Sequence, residues 1–293
     1  MADHKLETYE GILGYWLRNA AAEAFVSPRP FPRVVALRRV GGQSPFRVST
    51  ADQFYGVRSW FLEPTQLDTA PLPAMQPAEV EFTGAHSLRM TAGEENTTGL
   101  QLTMEIALDD TKAALRVRHG LKNLRPQGRQ LAAWAINVVP HKGVSVTPLA
   151  ADPGIFRAYI LFQGVDSTDP SLRLGRDAIG IDYRMATRGG WAKTGTNTDA
   201  GWVAYAWDGQ AVKSSVAYEP GAAYPEGGGT ITLYHSGKTA EEGFCEIENI
   251  GPLKTVGAGQ TLWLDQTLEL LGGVKIVGDD VDQWRQAIEQ GRP

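Results

Sequence analysis

Phe244-Cys245-Glu246-Ile247-Glu248-Asn249-Ile250-Gly251-Pro252 reads as a β-strand that ends in a turn. Side chains alternate along a strand, so Phe244, Glu246 and Glu248 point one way, while Cys245 and Ile247 point the other way, into a core. Two carboxylates beside an aromatic ring on one β-face describe a polar groove rather than a bare outer wall. The competing reading sets both glutamates in solvent on an outer sheet.

Working outward, short alternating or apolar runs recur between glycine and proline punctuation, the pattern of many strands. Strands are predicted over 15–20, 24–26, 34–39, 78–83, 87–91, 100–107, 113–121, 130–139, 144–149, 158–162, 178–183, 202–207, 212–217, 230–235, 243–250 and 260–271. Asp109 and Asp110 favour a tight turn between two of these, and Asn123 to Gly128 reads as another. Strands joined this way meander, which predicts an all-β fold, a large antiparallel sandwich over residues 1–293 as one domain. Helical period is confined to 279–290, where Val281, Trp284 and Ile288 form an apolar stripe, and in part to 52–60. The first predicts a short C-terminal helix packed outside the sheets. Glu226 to Gly229 reads as a flexible turn, because a phosphate-cradling loop needs a following helix and a Lys-Ser/Thr pair.

Composition bounds the function. The 293 residues are 42% hydrophobic and 21% charged, as in an ordinary globular chain. A formal net charge of −5 carries no footprint for nucleic acid or an anionic membrane surface. One cysteine, Cys245, excludes an internal disulfide framework and any cysteine-rich zinc module; its neighbours place it in the core. No apolar run reaches the length of a membrane span, and the first residues lack a basic stretch followed by an apolar one, which predicts a cytoplasmic protein. None of the five histidines is paired at a ligand-like spacing, so no metal is expected, and no cofactor motif is present.

Four segments together are similar to one branch of the galactose mutarotase-like superfamily. They are Gly56-Val-Arg-Ser-Trp-Phe-Leu-Glu-Pro64, Arg118-His-Gly-Leu-Lys-Asn123 with Leu131-Ala-Ala-Trp-Ala-Ile136, Gly201-Trp-Val-Ala-Tyr205, and the opening stretch through Leu253. The resemblance implies a large antiparallel β-supersandwich that binds a small-molecule carbohydrate on the concave face of its larger sheet. In the aldose 1-epimerases of that superfamily a glutamate takes the proton of the anomeric hydroxyl while a histidine protonates the ring oxygen. Glu248 resembles that base, with Glu246 two residues along the same face as a second acid or hydroxyl anchor. The strand that carries the epimerase histidine best matches 131–139, and there this chain has Trp134, whose indole has no proton to give but can stack on a sugar ring.

His235, which alternates with Ile231 and Leu233 near the Glu248 strand, is therefore a candidate acid. His119 and His141 are read as structural and loop histidines, respectively. Arg58 resembles an arginine that donates to sugar oxygens; the alternative is an ion pair with Glu63 across the turn. Trp60 is a stacking wall or core packing. Lys193 and Tyr224 complete the candidate binding residues, Lys193 through pairing with an acidic ligand group. Two functions follow from the resemblance: an epimerase-like enzyme with Glu248 as base, and a carbohydrate-binding or sensing protein that kept the groove without the reaction.

Overall fold

The computed structural model describes residues 4–64, 76–151, 159–162, 165, 168–185, 190–237 and 243–293. Its strands are β1 (Glu7–Tyr9), β2 (Ile12–Arg18), β3 (Ala22–Ser27), β4 (Arg33–Arg39), β5 (Gly56–Leu62), β6 (Ala78–Gly84), β7 (Ser87–Ala92), β8 (Leu100–Leu108), β9 (Ala114–Asn123), β10 (Arg129–Val139), β11 (Val144–Pro148), β12 (Ile160–Leu161), β13 (Leu172–Leu174), β14 (Ala178–Asp182), β15 (Ala192–Thr196), β16 (Trp202–Trp207), β17 (Gln210–Val216), β18 (Ile231–His235), β19 (Cys245–Ile250), β20 (Lys254–Val256) and β21 (Thr261–Gly272). The helices are α1 (Pro225–Gly228) and α2 (Val281–Glu289).

Among the described residues these strands form two antiparallel sheets. The larger runs β1-β2-β3-β4-β5-β10-β19-β18-β15-β12, with β20 pairing the start of β10; the smaller runs β13-β14-β11-β16-β17-β21-β9-β8-β7-β6. They pack face to face over a core that includes Leu17, Val57, Leu233 and Ile247 from the larger sheet and Leu115, Val203, Val212 and Leu268 from the smaller. In β8 the residues alternate between buried and half-buried, as expected of a strand with one covered face. In β5, β10 and β19 nearly every residue is buried, polar ones included, so both faces of the larger sheet's centre are covered. Helix α2 lies on the outer face of the smaller sheet, with Trp284 packed among Val144, Val146, Ala204 and Val281, and Asp280 accepting from the backbone N–H groups of Asp282 and Gln283 as its N-cap.

The partial helix expected over 52–60 is instead a turn leading into β5. Asp52 accepts from Phe54 N–H and pairs with Arg47, which stops the chain from continuing helically. Gly56 then turns into the strand at φ +66°, in the left-handed region that glycine occupies without penalty. Gly227 and Gly228 belong to the single helical turn α1 rather than to a plain turn. The strand expected over 158–162 is reduced to Ile160–Leu161 among the described residues, and residue 158 lies outside them. Strands β1, β5, β13, β15 and β20 were not anticipated; in β15, Ala-Lys-Thr-Gly-Thr, the two threonines are the only residues of high strand propensity, and there is little apolar pattern.

Candidate functional site

Five neighbouring strands build one polar face. In the order β5, β10, β19, β18, β15, the register sets Trp60 opposite Trp134, Arg58 and Glu248 on either side of Ile136, Glu248 opposite Thr232, Glu246 opposite Tyr234, and Tyr234 opposite Lys193. Opposed residues of an antiparallel pair share a face, so all of these project from the same side of the sheet. The alternate residues, among them Ser59, Asn137, Ile247, Leu233 and His235, point toward the smaller sheet. The polar side is thus the outer face of the larger sheet, and it is covered: Glu248 and Lys193 are each 1% exposed.

Two buried ion pairs divide this face. Arg58 Nη2 donates to Glu246 Oε1 at 2.8 Å, and its guanidinium lies over the rings of Trp60 and Phe54 at 4.4 and 5.2 Å. Glu63, the alternative partner, is held by Arg129 instead. Lys193 Nζ stands 3.9 Å from Glu248 Oε2, which also accepts a hydrogen bond from the Thr232 hydroxyl. The ammonium lies between two ring faces, 4.9 Å from Trp134 and 4.8 Å from Phe162. Charges out of water are tolerated only when paired, which explains why each carboxylate here has its own cation.

The aromatic side chains form the walls. Trp60 and Trp134 meet edge to face at 6.3 Å, and Phe54 stacks on Phe244 at 4.2 Å. Phe244 in turn contacts Tyr234. The indole N–H groups of both tryptophans and Nε and Nη1 of Arg58 are buried, and among the described residues they have no hydrogen-bond partner. Buried donors are normally satisfied, so four such donors on one face are suited to receive a ligand's oxygens.

The structure therefore brings together Arg58, Trp60, Trp134, Lys193, Glu246 and Glu248, and leaves out His235 and Tyr224. His235 pairs with Cys245 and Ala192 in register and lies on the inter-sheet side, fully buried. Gly237 N–H donates to its Nδ1, leaving Nε2–H to donate to the Ser171 hydroxyl, which donates to Asp169. Its alternation with Ile231 and Leu233 already placed it on their face, and that face is the core. Tyr224 stacks on Tyr218 and accepts from Glu219 N–H, outside the Glu248 cluster.

His119 is likewise on the inter-sheet side. Its Nε2–H donates to Gln266 Oε1 at 3.0 Å and its Nδ1 accepts from the Ser59 hydroxyl at 2.7 Å; burial pushes its pKa down to about 4. His141 is buried rather than solvated, and packs edge to face with His235. Among the described residues no three His, Cys, Asp or Glu side chains gather as a metal site. Thr232 and Phe162 are site residues that the sequence reading missed. Thr232 had a signal, since it alternates with core Ile231 and Leu233; Phe162 had none.

No family model and no curated sequence matches the chain. Solved structures do match. A galactose mutarotase-like protein from Lactobacillus casei ATCC 334 superposes at a TM-score of 0.60 and 12% identity over 87% of this chain and 99% of that one. A candidate aldose 1-epimerase from Escherichia coli K12 gives 0.59 and 11% over 88% and 99%. A galactose mutarotase-like protein from Clostridium acetobutylicum gives 0.57 and 12% over 92% and 98%. The fold is the galactose mutarotase-like β-sandwich, as the sequence segments implied, and at these identities the likeness carries the fold alone. Among the described residues no helix is long and apolar enough to cross a membrane.

Proposed function

We propose that this protein binds a sugar or sugar acid on the outer face of its larger sheet and interconverts its anomers, with Glu248 as the general base. The observation that carries this reading is the set of four buried donors, from Arg58, Trp60 and Trp134, on the same face as a buried carboxylate held by Thr232 and Lys193. A carbohydrate offers many hydroxyl oxygens to such donors and an apolar C–H face to the indoles. The mutarotase and epimerase names of the fold neighbours agree with that ligand class.

Glu248 suits a base. Its Oε2 is fixed by Thr232 in a water-poor setting, where a carboxylate that accepts a proton from an anomeric hydroxyl loses little to solvent reorganisation. Glu246 has its Oε1 taken up by a charge-assisted hydrogen bond from Arg58 and serves to orient hydroxyls. The alternative, a binding or sensing protein, is favoured by Trp134 standing where the epimerases carry their histidine.

Anomer exchange followed by NMR over a panel of aldoses and uronic acids separates the two. Accelerated exchange by the wild type, reduced at least about 100-fold in Glu248→Gln, is expected from loss of a general base. Saturable binding with no exchange, abolished in Trp134→Ala, would instead establish the sensing protein. Neither binding nor exchange would remove both.

A further inference from the structure

Resting on the epimerase reading above, we infer that Lys193 is the proton donor to the sugar ring oxygen, the role left vacant by Trp134. No described histidine stands on this face. His119 and His235 point between the sheets with both ring nitrogens engaged, and His141 packs against His235. Arg58 faces the site, but a guanidinium does not give up its proton in a protein. Lys193 carries a transferable proton, is buried on the correct side, and stands next to the base.

The spacing fits the chemistry. The anomeric hydroxyl oxygen and the ring oxygen hang from one carbon, so a base and an acid that serve both at once must themselves be neighbours. Lys193 Nζ and Glu248 Oε2 are 3.9 Å apart, and the Trp134 and Phe162 rings limit where the ammonium can move. In the forward step Glu248 takes the anomeric hydroxyl proton, and the O–H electron pair becomes the second bond of the carbonyl. The bond from the anomeric carbon to the ring oxygen breaks, its pair stays on that oxygen, and Lys193 protonates it. After rotation about the bond between the first two carbons, neutral Lys193 takes the hydroxyl proton back as that oxygen attacks the other carbonyl face, and Glu248 returns its proton to the carbonyl oxygen. Both residues end as they began, with no co-reactant.

The pairing also times the transfer. While Glu248 is charged, it holds the ammonium's proton in place; once Glu248 is protonated, that attraction is gone and Lys193 gives up its proton more readily than before. A lysine that only balanced the charge of Glu248 would be replaceable by arginine, whereas a proton donor would not.

Lys193→Arg is the test, with the substrate that the NMR panel identifies. The expected result is a kcat lower by at least about 100-fold, with KM and the affinity for the 1,5-anhydro analogue, which lacks an anomeric hydroxyl, changed less than about three-fold. If Lys193→Arg does not fold, Lys193→Ala is assayed with added methylammonium, which should restore exchange where tetramethylammonium, having no proton, should not. Wild-type exchange with Lys193→Arg unimpaired, or equal rescue by both ammonium ions, overturns this inference alone. A large loss in Tyr234→Phe beside a mild one in Lys193→Arg overturns it in favour of the tyrosine on the same face. A wild type that exchanges no anomer removes the epimerase reading and Lys193's role with it.

Discussion

Arg58 and Glu246 belong to strands that do not touch, β5 and β19, yet Nη2 of one donates to Oε1 of the other across β10. The guanidinium reaches over the backbone at Ile136 and Val138, which oppose Arg58 and Glu246 respectively. The contact ties together the two strands that present most of the polar face, and it does so with both partners almost fully buried.

Removing one partner of this pair strands the other as a buried charge. Arg58→Ala should lower unfolding free energy by about 3–5 kcal/mol, whereas the volume-matched double replacement Arg58→Met with Glu246→Leu should recover most of it. Urea denaturation of the two variants and the wild type checks this. Equal losses in the single and double variants would show that the guanidinium's packing on Trp60 and Phe54, rather than the ion pair, is what stabilises the sheet.

His119 gives the fold a predictable acid sensitivity. It is buried and its folded pKa is about 4, against 6.5 for the free side chain, because burial disfavours the charged ring. Between those values the unfolded chain binds the proton and the folded chain does not, so stability is fully present above about pH 6.5 and is lost as the pH falls toward 4. The loss should reach about 3 kcal/mol, since each pH unit between the two values contributes roughly 1.4 kcal/mol. Burial lowers His141 and His235 as well and adds to the same slope. Glu95, whose pKa is lowered to about 2 with Thr97 and Thr98 donating to it, loses its contribution only at lower pH. Stability curves of wild type and His119→Gln should diverge in slope over that range; parallel curves would mean that the folded protein takes up a proton at His119 without penalty.

Cys245 should be inert while the protein is folded. Burial pushes its thiol well above the usual range, and the neighbouring Glu246 charge acts in the same direction. A thiol reagent such as DTNB is expected to release no thionitrobenzoate from the native protein near pH 8 and one equivalent after unfolding in urea. Release at a rate independent of denaturant would place the sulfur at an accessible surface.

The strand alternation was legible from residue types over Cys245-Glu246-Ile247-Glu248, where apolar residues and glutamates alternate. It separated Glu246 and Glu248 from Cys245 and Ile247 as the structure does. What could not be read was which strands flank that face. Lys193 reaches Glu248 only because β15 pairs with β18, a contact between residues far apart in sequence, set by sheet order rather than by local pattern. The misreading of His235 was local instead: its proximity to the Glu248 strand was right, but its parity with Ile231 and Leu233, legible in the sequence, sends it to the core.

The misreading of 52–60 as partly helical points to Gly56 as a position the fold depends on. Its φ of +66° lies where a Cβ is disfavoured by about 1–2 kcal/mol. A Cβ there would also come within 2.3 Å of the Val34 carbonyl oxygen, on the strand that pairs with β5. Backbone cannot swing aside as a side chain can, so Gly56→Ala must shift the start of β5. Arg58 lies two residues on, and its guanidinium has to meet Glu246 across β10, so the displacement should reach the polar face. The expected outcome is a loss of at least about 2 kcal/mol in stability, together with weaker ligand binding in the surviving folded fraction, measured by thermal denaturation and titration with the same sugar. Gly41, also at positive φ but with nothing near its Cβ position, is the control, and Gly41→Ala should cost only the backbone part of that loss. Equal losses at the two positions would mean that the approach of Val34 carries no energy and that β5 is free to move.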